Sequence, residues 1–294
     1  MVQHMDSPAR SHVSYATAAQ SRAGRTMIKL IENATGRLHL IQRARDYDLE
    51  IRQGRNFWEV MVDRYGLSLD AMSGAITDIP ANGPLVVVAN HPFGILDGLI
   101  MGYLLSVRRP DFRILANSVF QDAPDLDRVV LPVNFAQTRD AVKQNLETRA
   151  AAIGCLRAGG AIGVFPGGTV STAARPFMQP LDPGWRRFTA RMIVKSSATV
   201  VPVYFDGQNS RLFQFASHIH PNLRVALLLK EFRRRTNKPV RIAIGAPIAP
   251  ARIARYADDA QGMMDFLRTE TYALSPRQIA PQAYGFEFED RYRA

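Results

Sequence analysis

The sequence contains very little cysteine, since Cys155 is the single cysteine among its 294 residues. One cysteine cannot form a disulfide within the chain, and it cannot build a metal site from several thiolates. The fold must therefore be held together by a hydrophobic core, and a hydrophobic content of 47% is enough to build one. Such low cysteine usage also fits a reducing compartment.

Long hydrophobic runs are absent as well. No uncharged apolar stretch approaches the roughly 20 residues that cross a bilayer as a helix. The most apolar stretches are short or are interrupted by Asp97, and they cover residues 85–89, 95–107 and 199–205. Residues 1–25 lack the apolar segment of a secretory signal. We therefore predict no membrane-spanning helix, and we predict that residues 1–25 form a disordered leader.

Acidic residues are fewer than basic ones. The chain has 26 Asp and Glu against 37 Lys and Arg, which gives a formal net charge of +11. This excess favours a polyanionic partner, which can be an anionic membrane surface, an acidic protein or a nucleic acid. Two basic clusters lie at residues 186–195 and 230–241. No helix-turn-helix, zinc or aromatic-interleaved basic pattern accompanies them, so we expect no nucleic acid as partner.

Several motifs of catalysis and ligand binding are also missing. The chain contains no G-x-G-x-x-G motif, no P-loop and no G-x-S-x-G nucleophile elbow. These absences disfavour nucleotide binding and a serine nucleophile. The histidines are not accompanied by a cluster of cysteines or carboxylates with metal-ligand spacing, so we expect no metal.

The order of hydrophobic patterns predicts the fold. Apolar residues recur at three- and four-residue steps after Met27, which predicts N-terminal amphipathic helices over residues 26–66. Beyond them, helical patterns alternate with short apolar runs, which cover residues 85–89, 112–116, 129–133, 161–165, 200–205 and 240–245. This alternation predicts an α/β domain over residues 67–294, with a mixed, largely parallel sheet flanked by helices.

A polar loop with a histidine follows the first of these runs. His91 stands just after the predicted strand and Asp97 at the start of the next helix, with Gly94 between them to allow a turn. Ligands of such sheets bind beyond the carboxyl ends of strands. The pair suits a general base that is oriented by a carboxylate. A loop histidine beside a helix-capping aspartate has the same pattern, so the residues alone leave both interpretations open.

Two further polar loops follow later strands. One contains glycines and hydroxyls in close succession: Gly167, Gly168, Thr169, Ser171 and Thr172. Its backbone N–H groups and hydroxyls suit a closely bound ligand, although an ordinary glycine turn has the same composition. The other loop covers residues 206–209. We expect the three loops to converge on one cleft.

Together these blocks resemble the glycerolipid (lysophospholipid) acyltransferase superfamily, PlsC-like, and more narrowly its hemolysin-like bacterial branch. Residues 90–98 resemble the branch's His-Pro-x-Gly-x-x-Asp-Gly loop, and residues 165–171 resemble the superfamily's Phe-Pro-Glu-Gly-Thr block. Residues 201–203 resemble its proline-bearing strand, and residues 244–248 resemble its closing strand. The blocks stand in the family's order.

The resemblance implies an acyltransferase domain over residues 67–294. It implies transfer of a fatty acyl group from an acyl-carrier thioester, acyl-ACP or acyl-CoA, to the hydroxyl of a lysolipid in membrane lipid biosynthesis. His91 is then the general base, Asp97 orients it, and the acyl group moves without an acyl-enzyme. No cofactor is implied beyond the thioester co-substrate. We expect the substrate-binding residues to be Asn90, Phe93, Gly94, Asn117, Gly167, Gly168, Thr169, Ser171 and Arg175.

Two departures from the family pattern concern the acceptor. Gly167 stands where the family has a glutamate, and Val170 stands where it has an arginine. In the family these charged residues help to bind the acceptor's phosphate. The acceptor is therefore either a lysophospholipid, with the phosphate bound by another cation, or a lyso-aminolipid. The candidate substitute cations are Arg113, Arg139, Arg175 and Lys195. If the phosphate subsite is vacant, Val170→Arg should improve the use of phosphate-bearing acceptors.

The charge and the loops together predict where the protein acts. We expect a peripheral enzyme on the cytoplasmic face of the inner membrane, where its basic surface meets anionic lipid or an acidic acyl carrier protein. Two alternative functions stay open. One is a lipid or thioester hydrolase that uses the same His91 and Asp97 pair on water, and the other is a basic nucleic-acid-binding protein.

Overall fold

The computed structural model describes residues 14–19, 21–117, 126–134 and 138–288. The strands are β1 (Ser68–Ser73), β2 (Leu85–Ala89), β3 (Phe112–Asn117), β4 (Val130–Val133), β5 (Ala161–Val164), β6 (Thr172–Ala173), β7 (Pro180–Leu181), β8 (Thr199–Phe205) and β9 (Pro239–Ile244). The helices are α1 (Arg22–Thr35), α2 (Arg37–Arg43), α3 (Tyr47–Arg52), α4 (Phe57–Arg64), α5 (Ile95–Arg108), α6 (Arg139–Arg157), α7 (Arg187–Ser196), α8 (Arg211–Ile219), α9 (Pro221–Arg235), α10 (Pro250–Ile253) and α11 (Ala260–Tyr272).

Seven strands form one sheet in the order β1-β9-β8-β2-β5-β3-β4. Neighbouring strands in it are parallel except for β8 and β9, which are antiparallel. The short strands β6 and β7 pair separately as an antiparallel hairpin. The predicted fold class, a mixed and largely parallel sheet with flanking helices, is confirmed.

Helices cover both faces of the sheet. Leu85 and Val87 of β2 lie in one hydrophobic core with residues of α5 and α9. Val86 and Val88 point to the opposite face and lie in a second core with residues of α6, α7 and α11. Because both faces are covered, every residue of β2 is buried, which explains its unbroken apolar sequence.

The N-terminal helices pack against the domain. The Ser21 hydroxyl accepts a hydrogen bond from the Gly24 N–H at 3.0 Å and caps α1. Ile28 of α1 and Leu40 of α2 are fully buried in the same core as α9. Since α1 begins at Arg22, the leader predicted over residues 1–25 is too long. Its first 13 residues lie outside the described part of the chain.

No helix within the described ranges combines the length and the apolar character that crossing a bilayer requires. This finding agrees with the short apolar runs of the sequence.

A glycine in α5 allows close packing against α4. A Cβ added to Gly102 would lie 2.1 Å from the Trp58 ring, whereas one added to Gly154 in α6 would meet nothing within 4 Å. We expect Gly102→Ala to lower the free energy of unfolding by about 1–3 kcal/mol, because overpacking outweighs the helix propensity of alanine. The matched Gly154→Ala should instead raise it by up to about 1 kcal/mol. Urea unfolding checks both, and a stabilised Gly102→Ala protein would contradict the packing argument.

Candidate active site

The three polar loops meet at one edge of the sheet. Strands β2, β5 and β8 are parallel neighbours, so their carboxyl ends lie side by side. The Asn90 side chain after β2 pairs with the Phe205 backbone at the end of β8, accepting from N at 2.7 Å and donating to O at 3.0 Å. The Ser171 N–H after β5 donates to the His91 carbonyl at 2.8 Å. The expected convergence of the loops is confirmed.

A buried carboxylate closes the turn between β2 and α5. Asp97 Oδ2 accepts hydrogen bonds from the backbone N–H groups of Phe93 at 2.8 Å and Gly94 at 2.9 Å. Gly94 has φ +87°, a conformation that favours glycine. The Asp97 side chain is 0% exposed. The carboxylate therefore caps the first turn of α5, as one of the two interpretations of the sequence had it.

The same carboxylate also lies against the histidine. His91 Nδ1 is 3.0 Å from Asp97 Oδ2, although the N–H is not aligned as a linear hydrogen bond. The imidazole stacks on the Phe165 ring with centroids 4.2 Å apart. Burial raises the pKa of Asp97, while the contact with His91 and the two backbone donors act in the opposite direction. Both interpretations of the sequence thus describe one carboxylate that caps the helix and faces the imidazole.

A guanidinium adds positive charge beside this pair. The Arg235 guanidinium, at the end of α9, lies 4.5 Å from the centre of the Phe93 ring. Burial lowers the pKa of Arg235, and the negative charges of Asp97 and Asp206 oppose that effect. The positive charge of Arg235 therefore interacts with the buried carboxylate of Asp97.

The loop after β5, residues 167–172, is called the glycine loop. Several of its polar groups are hydrogen-bonded to other parts of the protein. Gly168 has φ +70° and its N–H donates to the Phe165 carbonyl at 3.0 Å, which closes a turn. The Ser171 hydroxyl donates to the carboxylate of Asp182, which is fully buried. The backbone N–H groups of Gly167 and Thr169 make no hydrogen bond to any described residue. These two N–H groups therefore have no hydrogen-bond partner within the described part of the protein.

A buried arginine reaches this loop from α9. Arg224 Nη2 donates to Thr169 Oγ1 at 3.0 Å, to the Val170 carbonyl at 2.6 Å and to Thr172 Oγ1 at 3.2 Å. Its Nε is buried and makes no hydrogen bond to the described residues. Burial lowers the pKa of Arg224 to about 9, so the guanidinium stays charged near neutral pH. A buried cation thus stands beside the loop.

The sequence of this chain is similar to those of known proteins. A family model described as Acyltransferase matches residues 74–206, a span that contains the first two loops and ends at the first residue of the third. A lyso-glycine lipid O-acyltransferase of Phocaeicola vulgatus is 26% identical over 206 residues, covering 63% of this chain and 69% of that protein. The protein is an O-acyltransferase, and its sequence is similar to the family that this model describes.

Two further similarities accompany these. A second lyso-glycine lipid O-acyltransferase, from Bacteroides thetaiotaomicron, is 25% identical to this acyltransferase over 203 residues, which cover 63% of this chain and 71% of that protein. A crystal structure of the 1-acyl-sn-glycerophosphate acyltransferase PlsC from Thermotoga maritima superposes with a TM-score of 0.46 at 18% identity, covering 90% of this chain and 87% of that one.

Several predicted substrate-binding residues of the acyltransferase are buried. Asn90, Phe93 and Ser171 are almost completely enclosed, and the polar groups of Asn90 and Ser171 bind other parts of the protein. Asn90 and Ser171 hold the loops in place and also line a small pocket, so their contact with substrate stays a prediction. Arg175 is exposed between β6 and β7. Asn117 ends β3, and its side chain lies outside the described part of the structure.

Most of the basic residues predicted to bind the acceptor's phosphate lie away from the loops. Arg113 lies near the amino end of β3 and Lys195 at the end of α7, which precedes the amino end of β8, so both are at the edge opposite the loops. Arg139 begins α6 and is exposed. Val170 is 6% exposed and lies against the Gly94 turn, which leaves little space beside it for an arginine side chain. Val170→Arg would disrupt packing there.

Sequence reasoning missed two residues, Arg224 and Asp182. Arg224, Leu228 and Arg235 recur at helical spacing on α9, and a Cβ on Gly94 would lie 3.2 Å from Leu228, so this face of α9 borders the turn between β2 and α5. That spacing was visible in the sequence, but the loops that α9 meets were not. Asp182 follows β7 with no local motif to mark it.

The Gly94 turn provides a test of the local geometry. A Cβ on Gly94 would lie 3.2 Å from both Leu228 and Val170, whereas Gly83, with φ +81°, has open space around its Cβ position. We expect Gly83→Ala to cost about 1–3 kcal/mol through backbone strain alone. Gly94→Ala should cost about 1 kcal/mol more, because its Cβ also crowds two side chains. Equal losses in urea unfolding would show that the turn is not packed as described.

Proposed function

We propose that this acyltransferase moves a fatty acyl group from an acyl-carrier thioester to the hydroxyl of a lysolipid, with His91 as the general base. The observation that carries the proposal is the close approach of His91 to the fully buried Asp97 at the carboxyl end of β2. The relatives support the acceptor class, since both are named for acyl transfer to a lyso-glycine lipid.

In the proposed reaction, His91 Nε2 takes the proton of the acceptor hydroxyl as its oxygen attacks the thioester carbonyl carbon. The new C–O bond forms first. The C–S bond then breaks, and the imidazolium returns the proton to the departing thiolate. Asp97 Oδ2, 3.0 Å from Nδ1, stabilises the positive charge on the ring. A positioned general base contributes about 10²–10⁴-fold to such a step.

The glycine loop is suited to the negative charge of the intermediate. The N–H groups of Gly167 and Thr169 have no partner among the described residues, and the loop is tied to His91 through Ser171. Backbone donors aimed at a developing oxyanion are a common source of transition-state stabilisation. We assign the thioester carbonyl oxygen to these two donors.

The single cysteine is a poor nucleophile for a covalent intermediate. Cys155 lies within α6, and burial raises the pKa of its thiol, which disfavours the reactive thiolate. Direct transfer to the acceptor is therefore the simpler route. If water took the place of the acceptor, the same groups would make a hydrolase, and the products distinguish the two. The family match favours the transferase over a nucleic-acid-binding protein.

Positive charge lies beside the site for an anionic donor or lipid. β9 is antiparallel to β8, so its amino end lies at the edge that carries the loops. The residues before it include the exposed side chains of Arg233, Arg234 and Lys238. This position suits an acyl carrier protein or the phosphates of acyl-CoA as donor.

An exposed apolar face supports a peripheral position at a membrane. Leu212, Phe215 and Ile219 are all at least half exposed and recur at helical spacing on α8. Apolar side chains together with a basic surface favour binding to anionic lipid. We therefore place the enzyme on the cytoplasmic face of the inner membrane, where lysolipids are accessible.

For the acceptor we favour a lyso-aminolipid with an anionic head group, such as the carboxylate of a glycine lipid. The names of the relatives point to this class. The family's glutamate and arginine positions hold Gly167 and Val170 here, and the buried guanidinium of Arg224 is bound to the Thr169 hydroxyl and the Val170 carbonyl. A lysophospholipid is the alternative acceptor.

The catalytic assignment predicts the effect of two substitutions. His91→Ala should lower kcat for acyl transfer by about 10²–10⁴-fold, because the acceptor hydroxyl loses its base. Asp97→Asn should lower it as well, since the imidazolium loses a buried anion. The control is His39→Ala on α2, away from the loops, which should keep wild-type activity. Thiol release and acylated product are both measured with acyl-CoA or acyl-ACP and a lyso-glycine lipid.

Two results would contradict this assignment. Full activity of His91→Ala would remove the base from the mechanism. Free fatty acid as the main product, formed at the same rate with and without the lysolipid, would identify a hydrolase.

Substitutions at two buried arginines test the acceptor assignment. Arg224→Lys keeps a positive charge but loses the planar fork, so we expect the KM for lyso-glycine lipid to rise about tenfold, with the KM of the acyl donor unchanged. Arg109 is also buried but binds Asp111 and the Gly83 carbonyl, away from the loops. Arg109→Lys should lower stability without changing either KM. An unchanged acceptor KM in Arg224→Lys would contradict the assignment.

A further inference from the structure

We propose that Asp182 is a positioning residue that holds the backbone of His91 in its catalytic place, an inference that rests on the proposed role of His91 as base. Asp182 comes from the segment after β7, far along the chain from the catalytic turn. Its carboxylate lies between that turn and the glycine loop, and it is 0% exposed.

The contacts of Asp182 hold His91 at both of its backbone polar groups. Asp182 Oδ1 accepts from the His91 N–H at 3.1 Å and also from the Ser171 hydroxyl. The Ser171 N–H donates in turn to the His91 carbonyl at 2.8 Å. These three hydrogen bonds form a closed ring through Asp182, Ser171 and His91. The imidazole that faces Asp97 is therefore attached to a backbone that cannot shift without breaking one of these hydrogen bonds.

The carboxylate is itself held firmly. Oδ2 accepts from the Trp185 indole N–H at 3.0 Å. The Asp182 backbone N–H donates to the Tyr272 hydroxyl at 2.9 Å, and its carbonyl accepts from the Gly285 N–H at 2.9 Å. A buried carboxylate is costly unless it is well hydrogen-bonded. The three donors that face it explain how it is tolerated, and the ring with His91 explains what it does.

The two acceptor oxygens of this side chain matter for its role. Donors from His91, Ser171 and Trp185 all point at its two oxygens. An asparagine keeps an acceptor oxygen for the His91 and Ser171 donors only if its NH₂ group faces the Trp185 indole N–H, so two donors oppose each other and push the side chain out of place. The backbone of His91 would then move, and a displacement of about 1 Å at a catalytic group can cost about 100-fold in rate.

The side chain of Asp182 packs directly against Gly167. A Cβ on Gly167 would lie 3.2 Å from Asp182 Cβ and 3.3 Å from its Oδ2. The carboxylate thus takes the space that a side chain at position 167 would enter. This close packing explains why position 167 holds a glycine in a site that contains Asp182.

The first experiment compares two buried carboxylates with matched partners. Glu32 also accepts from a backbone N–H, that of Tyr15 at 2.7 Å, and from a serine hydroxyl, that of Ser14 at 2.6 Å. We expect Asp182→Asn to lower kcat about 100-fold, with KM for donor and acceptor little changed. Glu32→Gln should lose similar stability in thermal unfolding but keep its kcat. Equal kcat values for the folded proteins would overturn the positioning role.

A second experiment tests the shared space and still decides if Asp182→Asn fails to fold. Gly167→Glu should inactivate the enzyme when Asp182 is present, because the two side chains collide. Asp182→Gly should inactivate it by loss of the carboxylate. The double variant Gly167→Glu, Asp182→Gly should recover at least about tenfold in kcat over either single change, since one carboxylate then occupies the site. A double variant no better than the singles would overturn the inference.

These results separate the inference from the proposed function. If His91→Ala is inactive while Asp182→Asn retains full kcat, the proposed function stands and the positioning role fails. If His91→Ala keeps full activity, the proposed function fails. Amide hydrogen exchange at His91, measured by NMR without substrate, still tests the contact. Exchange should be faster in Asp182→Asn than in the wild type, and unchanged exchange would overturn the contact.

Discussion

The site depends on one buried carboxylate that serves two purposes. Asp97 accepts hydrogen bonds from the Phe93 and Gly94 N–H groups and lies 3.0 Å from His91 Nδ1. The backbone bonds fold the catalytic turn, and that turn brings the carboxylate to the imidazole. An ionised group without exposure to water is stable only when such partners surround it. Because the buried Asp97 needs these hydrogen bonds, the fold of the turn also fixes the negative charge beside the proposed base.

The sheet turns this local motif into a site. Parallel neighbours β2, β5 and β8 end at one edge, so a histidine loop, a glycine loop and the end of β8 meet there. Asn90 and Ser171, which the sequence predicts to bind substrate, also join the loops to one another. Polar residues after strands predicted that the loops meet, but not how the loops bind one another, because those partners lie far apart in the chain.

Two departures from the family pattern have a structural explanation. The carboxylate of Asp182 fills the space beside Gly167, and the guanidinium of Arg224 reaches the loop next to Val170. Both come from segments that follow the motif in the chain. Each brings a charged group to the glycine loop from a later part of the chain. Substitution of two motif residues therefore does not by itself indicate a lost function.

Sequence and tertiary structure contributed different information about this acyltransferase. The unbroken apolar run of β2, the helical periodicity and the His91 loop were readable from local sequence, because burial on both faces and turn formation impose local patterns. The exposed edge strand β1 and the two-residue strands β6 and β7 carry no such pattern and were missed. The partnership of Asp182 with His91 and of Arg224 with the glycine loop was decided only by the fold. Hydrogen bonds between residues more than 50 positions apart leave no trace in the spacing of either partner.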